Sequence, residues 1–294
     1  MTRRIPLDND NDNDDRWTRI GTHPVEYDYS DDKIPGGGDR WSTWDQSTAS
    51  ERGPQPYPDW LVTELGAVDL ELGVLKTGKE ADVFLVRREV PETSRGCLLA
   101  AKRYRDDGHR QFHRSAVYQE GRRTRKSRDA RAIRNRSAYG REVIGAHWAR
   151  AEFDALVLLH VLGAAVPYPV QIVGTELLLE FVGQPDGAPA PRLVEIRWRG
   201  EQLAGLWDQA VALMDMLAGA GYAHGDLSAF NLLVDGDRLV AIDLPQLVDV
   251  VANPQGPTFL DRDAATVAGW FTQHDFPVDV PALIARLHSA ARIP

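Results

Sequence analysis

The chain has 294 residues, 43% of them hydrophobic, one cysteine and a formal net charge of −9. That is enough apolar material for one bilobed domain or two small ones, and the lone Cys97 excludes a disulfide framework or a multi-cysteine metal site, as expected in a reducing compartment. No 18 apolar residues run together and the N-terminus lacks an apolar signal core, so a cytoplasmic protein with no membrane partner is expected.

Residues 1–55 are expected to form a disordered acidic segment. Asn and Asp alternate from Asp8 to Asp15, Gly36-Gly37-Gly38 follows, and no apolar periodicity offers burial to offset chain entropy. Trp17, Trp41 and Trp44 are odd in that company. They read either as a docking motif, for a partner or for the protein's own surface, or as idle linker aromatics.

Leu61-Val62-Thr63-Glu64-Leu65 reads as a short helix, and Val68 to Leu75 alternates as a half-buried strand does. Then Thr77-Gly78-Lys79-Glu80-Ala81-Asp82-Val83-Phe84 places a glycine turn before a second strand through Val86. Backbone N–H groups at such a turn can approach phosphate oxygens, with Lys79 adding charge, although most such turns are ordinary hairpins and both GxGxxG and GxxxxGK[ST] are missing. The third strand, Leu98-Leu99-Ala100-Ala101-Lys102-Arg103, stays apolar until Lys102, and its two alanines leave room for a nucleotide base.

From Arg103 to Arg141 there are 13 Lys/Arg against 4 Asp/Glu, whereas the rest of the chain carries 21 against 39. This basic island is a candidate RNA-binding loop or a solvated face that meets acidic protein. Trp148, Ala151, Ala155, Leu158 and Leu162 then mark an amphipathic helix, with Glu152 at the edge of its inward stripe and able to point at Lys102. A hairpin follows: Val170–Val173, a Gly-Thr turn, and Leu177–Gly183. Leu206, Ala210, Leu213 and Leu217 mark a core helix that delivers the chain to His224.

His224-Gly225-Asp226-Leu227-Ser228-Ala229-Phe230-Asn231 sets a carboxylate and an amide five residues apart, and the strand Leu239-Val240-Ala241-Ile242 delivers a second carboxylate, Asp243. Metal-assisted phosphoryl transfer needs this equipment. One carboxylate orients the attacking hydroxyl, here Asp226, and oxygen ligands hold the magnesium that bridges the phosphates, here Asn231 and Asp243. His224 reads as a packed scaffold residue rather than a general base.

Taken together, Thr-Gly-Lys-Glu-Ala at 77–81, Leu-Glu-Phe-Val-Gly at 179–183, His-Gly-Asp-Leu-Ser-Ala-Phe-Asn at 224–231 and Ile-Asp-Leu-Pro-Gln at 242–246 resemble the RIO family of atypical serine/threonine protein kinases, its first branch most closely. The resemblance spans roughly residues 60–285. It implies an α+β, bilobed protein-kinase-like fold: an N-lobe antiparallel sheet plus helix over 56–183, including a flexible basic loop at 104–145, and a reduced, mainly helical C-lobe over 184–294. Asp226, Lys102 and Glu152 would be catalytic. ATP would meet Thr77, Gly78, Lys79, Val83, Ala100, Lys102, Leu179, Glu180 and Val182, the base edge bonding the backbone of Glu180 and Val182. Magnesium, or manganese in its place, would sit on Asn231 and Asp243, and Asp243 is the candidate phosphoacceptor of an ATPase path. Gly225 stands where most kinases carry Arg, and Asp243-Leu244-Pro245 departs from the family's usual Asp-Val-Ser.

Two other classes compete with an ATP-dependent protein kinase or ATPase. One is an aminoglycoside-type small-molecule phosphotransferase, which also shows His-Gly-Asp followed by Asn. The other is a non-catalytic fold that docks on RNA or a ribosomal particle. The Gly-Lys-Glu-Ala turn and the basic insert favour the kinase.

Overall fold

The computed structural model describes residue 34 and residues 37–105, 138–197, 201–245 and 247–293, with the backbone alone at 138–143 and 201. The acidic tail with Trp17, and most of the basic loop, lie outside the described residues. Among those residues, six strands form one antiparallel sheet in the order β1-β2-β3-β4-β6-β5. They are β1 (Arg40–Trp41), β2 (Val68–Thr77), β3 (Ala81–Glu89), β4 (Gly96–Tyr104), β5 (Pro169–Val173) and β6 (Glu176–Glu180). A glycine is required at the β2–β3 turn. The Gly78 N–H donates to the Ala81 carbonyl at 3.0 Å, and a Cβ at Gly78 would sit 2.7 Å from that same oxygen.

Register decides which residues share a face, because directly opposed residues of antiparallel strands project to the same side. Lys76, Val83, Lys102 and Leu177 form one row across four strands. Leu85, Ala100 and Leu179 form the next on that face. The opposite face carries Val86, Leu99, Ala101 and Leu178 in a cluster of its own with Trp44, Leu61, Tyr168 and Val170. The first face looks at helix α1 (Ala138–Val161) and belongs with the main core.

The expectation of disorder to residue 55 fails over its last part. Residues 40–51 hold β1 and two 3-10 turns, Trp44–Gln46 and Ala49–Glu51. Trp44 is 4% exposed, meets Tyr57 edge-on at 5.1 Å and carries the Arg52 guanidinium 4.6 Å above its ring. Trp41 stays exposed. A buried polar chain fastens this strap to the sheet. Arg88, 0% exposed, donates to Asp69 at 2.7 and 3.1 Å and to Gln171 at 3.0 Å, and Gln171 donates to Thr43 at 2.7 Å. Composition alone hid this, since one tryptophan supplies most of the strap's apolar burial.

Three further expectations are corrected. Residues 61–64 form neither helix nor strand, and Leu65 lies in a turn. Leu61 and Val62 bury against the sheet, which outweighs a single helical turn whose nucleation is costly. The basic loop, expected to run to 145, gives way to α1 at Ala138. Finally, the buried stripe of α1 is Ala149, Glu152, Phe153, Ala155, Leu156 and Leu159, so Ala155 is inward as expected, while Leu162 is exposed. Glu152 therefore lies in the middle of the inward face and not at its edge.

Below the sheet, α2 (Glu201–Gly219), α3 (Gly256–Gln273) and α4 (Val280–Ala291) pack on one another beside two small antiparallel pairs. These pairs are β7 (Tyr222–Ala223) with β10 (Val248–Asp249), and β8 (Leu232–Asp235) with β9 (Arg238–Ala241). Leu206, Ala210, Leu213 and Leu217 of α2 are all buried, as their spacing predicts. No described helix is long and apolar enough to cross a membrane.

Candidate active site

Lys102 lies on the cleft face of β4 between Ala100 and Tyr104, and its ammonium bonds two carboxylates at once, Glu152 at 2.7 Å and Asp243 at 2.7 Å. Burial alone would lower the lysine's pKa, but the facing Glu152 and Asp243 hold it well above the ordinary value. Glu152 is itself enclosed, 1% exposed. It accepts from Lys102, from the Tyr104 hydroxyl and from the Leu244 N–H at 3.2 Å. One carboxylate on α1 thus fixes the strand lysine and the backbone just past Asp243.

Asp243 sits at φ 67, in the left-handed region that an aspartate enters at a cost. Bonds on either side hold it there. The Ile242 N–H donates to the Asn231 carbonyl at 3.0 Å, His224 Nε2 meets the Ile242 carbonyl at 3.1 Å, and Leu244 is tied to Glu152. Burial works to raise the Asp243 carboxyl, yet Lys102 beside it holds it below the usual aspartate range. His224 is buried, with Nε2 bonded to Ile242 and Nδ1 without a hydrogen-bond partner among the described residues.

The loop between them is built to present Asp226. Asn231 Nδ2 donates to the Asp226 carbonyl at 2.9 Å, which leaves the amide oxygen for a cation. Gly225 adopts φ 87, a conformation open to glycine and unfavourable for the arginine found in most kinases. Its N–H and that of Leu227 donate to the two carboxylate oxygens of Asp263 at 2.8 and 3.0 Å, and its carbonyl accepts from Arg262. Burial pushes the Asp263 carboxyl up while those N–H groups pull it down. Asp263, on α3, is a positioning residue that sequence reasoning missed, because its 37-residue separation from Asp226 carries no local signal.

The structure brings Lys102, Glu152, Asp243 and Asn231 together, and it sets Val83, Ala100 and Leu179 on the same sheet face. It does not bring in the Thr77 side chain, which pairs with Asp82 on the opposite face. Lys79 is exposed on the turn. At the connection between lobes, the Glu180 N–H donates to the Tyr168 carbonyl at 2.9 Å, and the Val182 carbonyl accepts from Ala190 at 3.0 Å. A cation that the sequence did not single out, Lys76 on β2, shares the row of Lys102 and lies within electrostatic reach of Arg192, Asp243 and Lys102. Glu80, from the turn, is pushed up by burial and by Asp243, Glu152 and Asp226 nearby.

A clefted α+β fold with a strand lysine clamped between a helix glutamate and an aspartate on the far side finds its likeness in kinases. The Rio2 kinase of Chaetomium thermophilum, in a complex described as ADP/Mg2+-phosphoaspartate, matches with a TM-score of 0.51 at 21% identity, over 76% of this chain and 66% of that one. That is a likeness of fold. The RIO-type serine/threonine-protein kinase Rio1 of Haloferax volcanii is 34% identical over 220 residues, 74% of this chain and 69% of its own length. The human serine/threonine-protein kinase RIO1 is 31% identical over 132 residues, which is 45% of this chain and 23% of its own length. The RIO1 family model, described as the RIO domain, matches residues 92–283, and with most of the chain so covered the protein belongs to the RIO family of serine/threonine protein kinases.

Proposed function

We propose that the chain is an ATP- and magnesium-dependent RIO-type serine/threonine kinase with an ATPase path through Asp243. The observation that carries this reading is the Lys102 ammonium bonded to both Glu152 and Asp243, since it fixes a phosphate-gripping cation against a carboxylate suited to a metal. The donors suit a hard cation: the Asn231 amide oxygen and the ionised Asp243 carboxylate. No group of three His, Cys, Asp or Glu able to hold a metal occurs among the described residues, so two protein oxygens would share the ion with phosphate oxygens and water. Magnesium held by these two side chains would supply positive charge to offset that of the nucleotide phosphates.

The chain's own residues do the rest. The apolar patch of Val83, Leu85, Ala100 and Leu179, from two adjacent rows of the cleft face, receives the base, while Lys102 holds the inner phosphates in the geometry that Glu152 sets. The Asp226 carboxylate, exposed to the cleft, accepts the acceptor hydroxyl's proton as its oxygen attacks the γ-phosphorus and the bond to the β-phosphate oxygen breaks. Without a bound acceptor, an Asp243 carboxylate oxygen attacks the same phosphorus, ADP leaves, and water later hydrolyses the acyl phosphate.

The test is the lability of self-incorporated label from γ-labelled ATP. We expect hydroxylamine to release it. Label that resists would lie on a serine or threonine and reject Asp243 as acceptor, and brisk labelling of an aminoglycoside would reject the protein-kinase reading altogether. The basic segment at 104–145 is assigned to RNA or a ribosomal particle. Binding to RNA should fall steeply as salt rises, because neutralised phosphates release counterions. Salt-independent binding, or none, would leave the segment a solvated loop.

A further inference from the structure

Regular alternation along β2 would place Lys76 on the same face as Val74, away from the cleft. Instead, Val74 opposes Phe84 and Lys76 opposes Val83, so Leu75 is an extra residue in a bulge. Bulges of this kind re-aim side chains beside active sites. Here the bulge turns Lys76 onto the cleft face, in the row of Lys102 and two strands away, about 10 Å.

Arg192 comes from the other lobe. Its backbone bridges to Leu233 of β8, just past Asn231, and the next turn holds it: the Arg192 N–H donates to Glu195 at 2.9 Å, and Pro191 accepts from Val234 at 2.8 Å. Lys76 lies within electrostatic reach of Arg192, Asp243 and Lys102. Lys76 is an exposed residue on β2; desolvation by neighbouring atoms first, then Arg192 and Lys102, draw its pKa below the ordinary lysine value, and Asp243 pulls it back up. Among the described residues neither Lys76 nor Arg192 forms an ion pair. Lys102, by contrast, has its two carboxylates.

Lys102 and Lys76 therefore both lie within electrostatic reach of Asp243, Arg192 lies within reach of Lys76, and among the described residues neither Lys76 nor Arg192 is held in an ion pair. Like charges gathered in a cleft without an internal partner raise the energy of the empty site and are neutralised when an anion enters. We propose that Lys76 and Arg192 are a second phosphate clamp that grips the terminal phosphoryl group of the nucleotide from opposite lobes, leaving the inner phosphates to Lys102. This rests on the kinase reading and adds two binding residues to it. An anion held by both side chains also ties the sheet to the β8–β9 hairpin, so the terminal phosphate acts as the bridge between lobes.

The test is calorimetric titration with magnesium, using the β,γ-imido analogue of ATP and, separately, ADP. Lys76→Met and Arg192→Met should each weaken the triphosphate analogue about tenfold, the scale of one charge-assisted contact. ADP affinity should stay within about twofold, and Lys76→Arg should retain triphosphate binding. Thermal melting reports whether each variant is folded. An equal loss for both nucleotides, or no loss for either, would overturn the clamp while leaving the kinase reading intact. Failure of the native protein to bind either nucleotide would strike the kinase reading itself and the clamp with it.

Discussion

Glu152 carries three bonds on one enclosed carboxylate, from Lys102, Tyr104 and Leu244. Removing it would leave a buried ammonium with Asp243 as its sole carboxylate and two further donors unmet. Breaking a buried, hydrogen-bonded charge pair from one side costs about 3 kcal/mol, so Glu152→Ala should lower chemical-denaturation stability by that order. A loss below about 0.5 kcal/mol would mean the carboxylate is easily replaced by water. Glu152 and Lys102 were legible in the sequence because each ends or sits within a regular element whose period can be counted. Tyr104 was not. Its hydroxyl meets Glu152 only because the β4 register puts residues 100, 102 and 104 on one face, and register is set by pairing across the sheet.

At the scale of elements, the strands on both sides of the glycine turn and the core helix α2 could be read from periodicity, and the structure extends their ends by a few residues. What local pattern could not supply was the path of residues 37–62. Their order comes from long-range partners: Arg88 and Gln171 beneath Thr43, and Tyr57 against Trp44. The strap covers the sheet face turned away from the cleft. Trp44→Ala would open that covering and should cost about 3 kcal/mol in urea unfolding, with little change in nucleotide affinity. An unchanged midpoint would show that the strap is not integral to the sheet. The same reasoning explains why Lys79 was chosen over Lys76. The sequence shows a lysine inside a glycine turn, whereas a bulge becomes visible only when strands are paired.

For the whole molecule, the cleft is defined by contacts that cross it: Lys102 of the sheet to Asp243, Glu152 of α1 to Leu244, and the electrostatic approach of Lys76 to Arg192. Beneath it, Asp263 of α3 holds the loop that presents Asp226. The Asp226 backbone carbonyl is held by Asn231, while its carboxylate, on an exposed residue, has no hydrogen bond to a described residue. In the proposed mechanism Asp226 acts on the acceptor and not on the nucleotide. The most direct test compares Asp226→Asn with the native protein in transfer of label from γ-labelled ATP to a serine or threonine peptide acceptor and in equilibrium ATP binding. Transfer should fall by about 100-fold or more, the scale of losing a positioned base, with ATP affinity within a few-fold of native. Undiminished transfer would contradict that role.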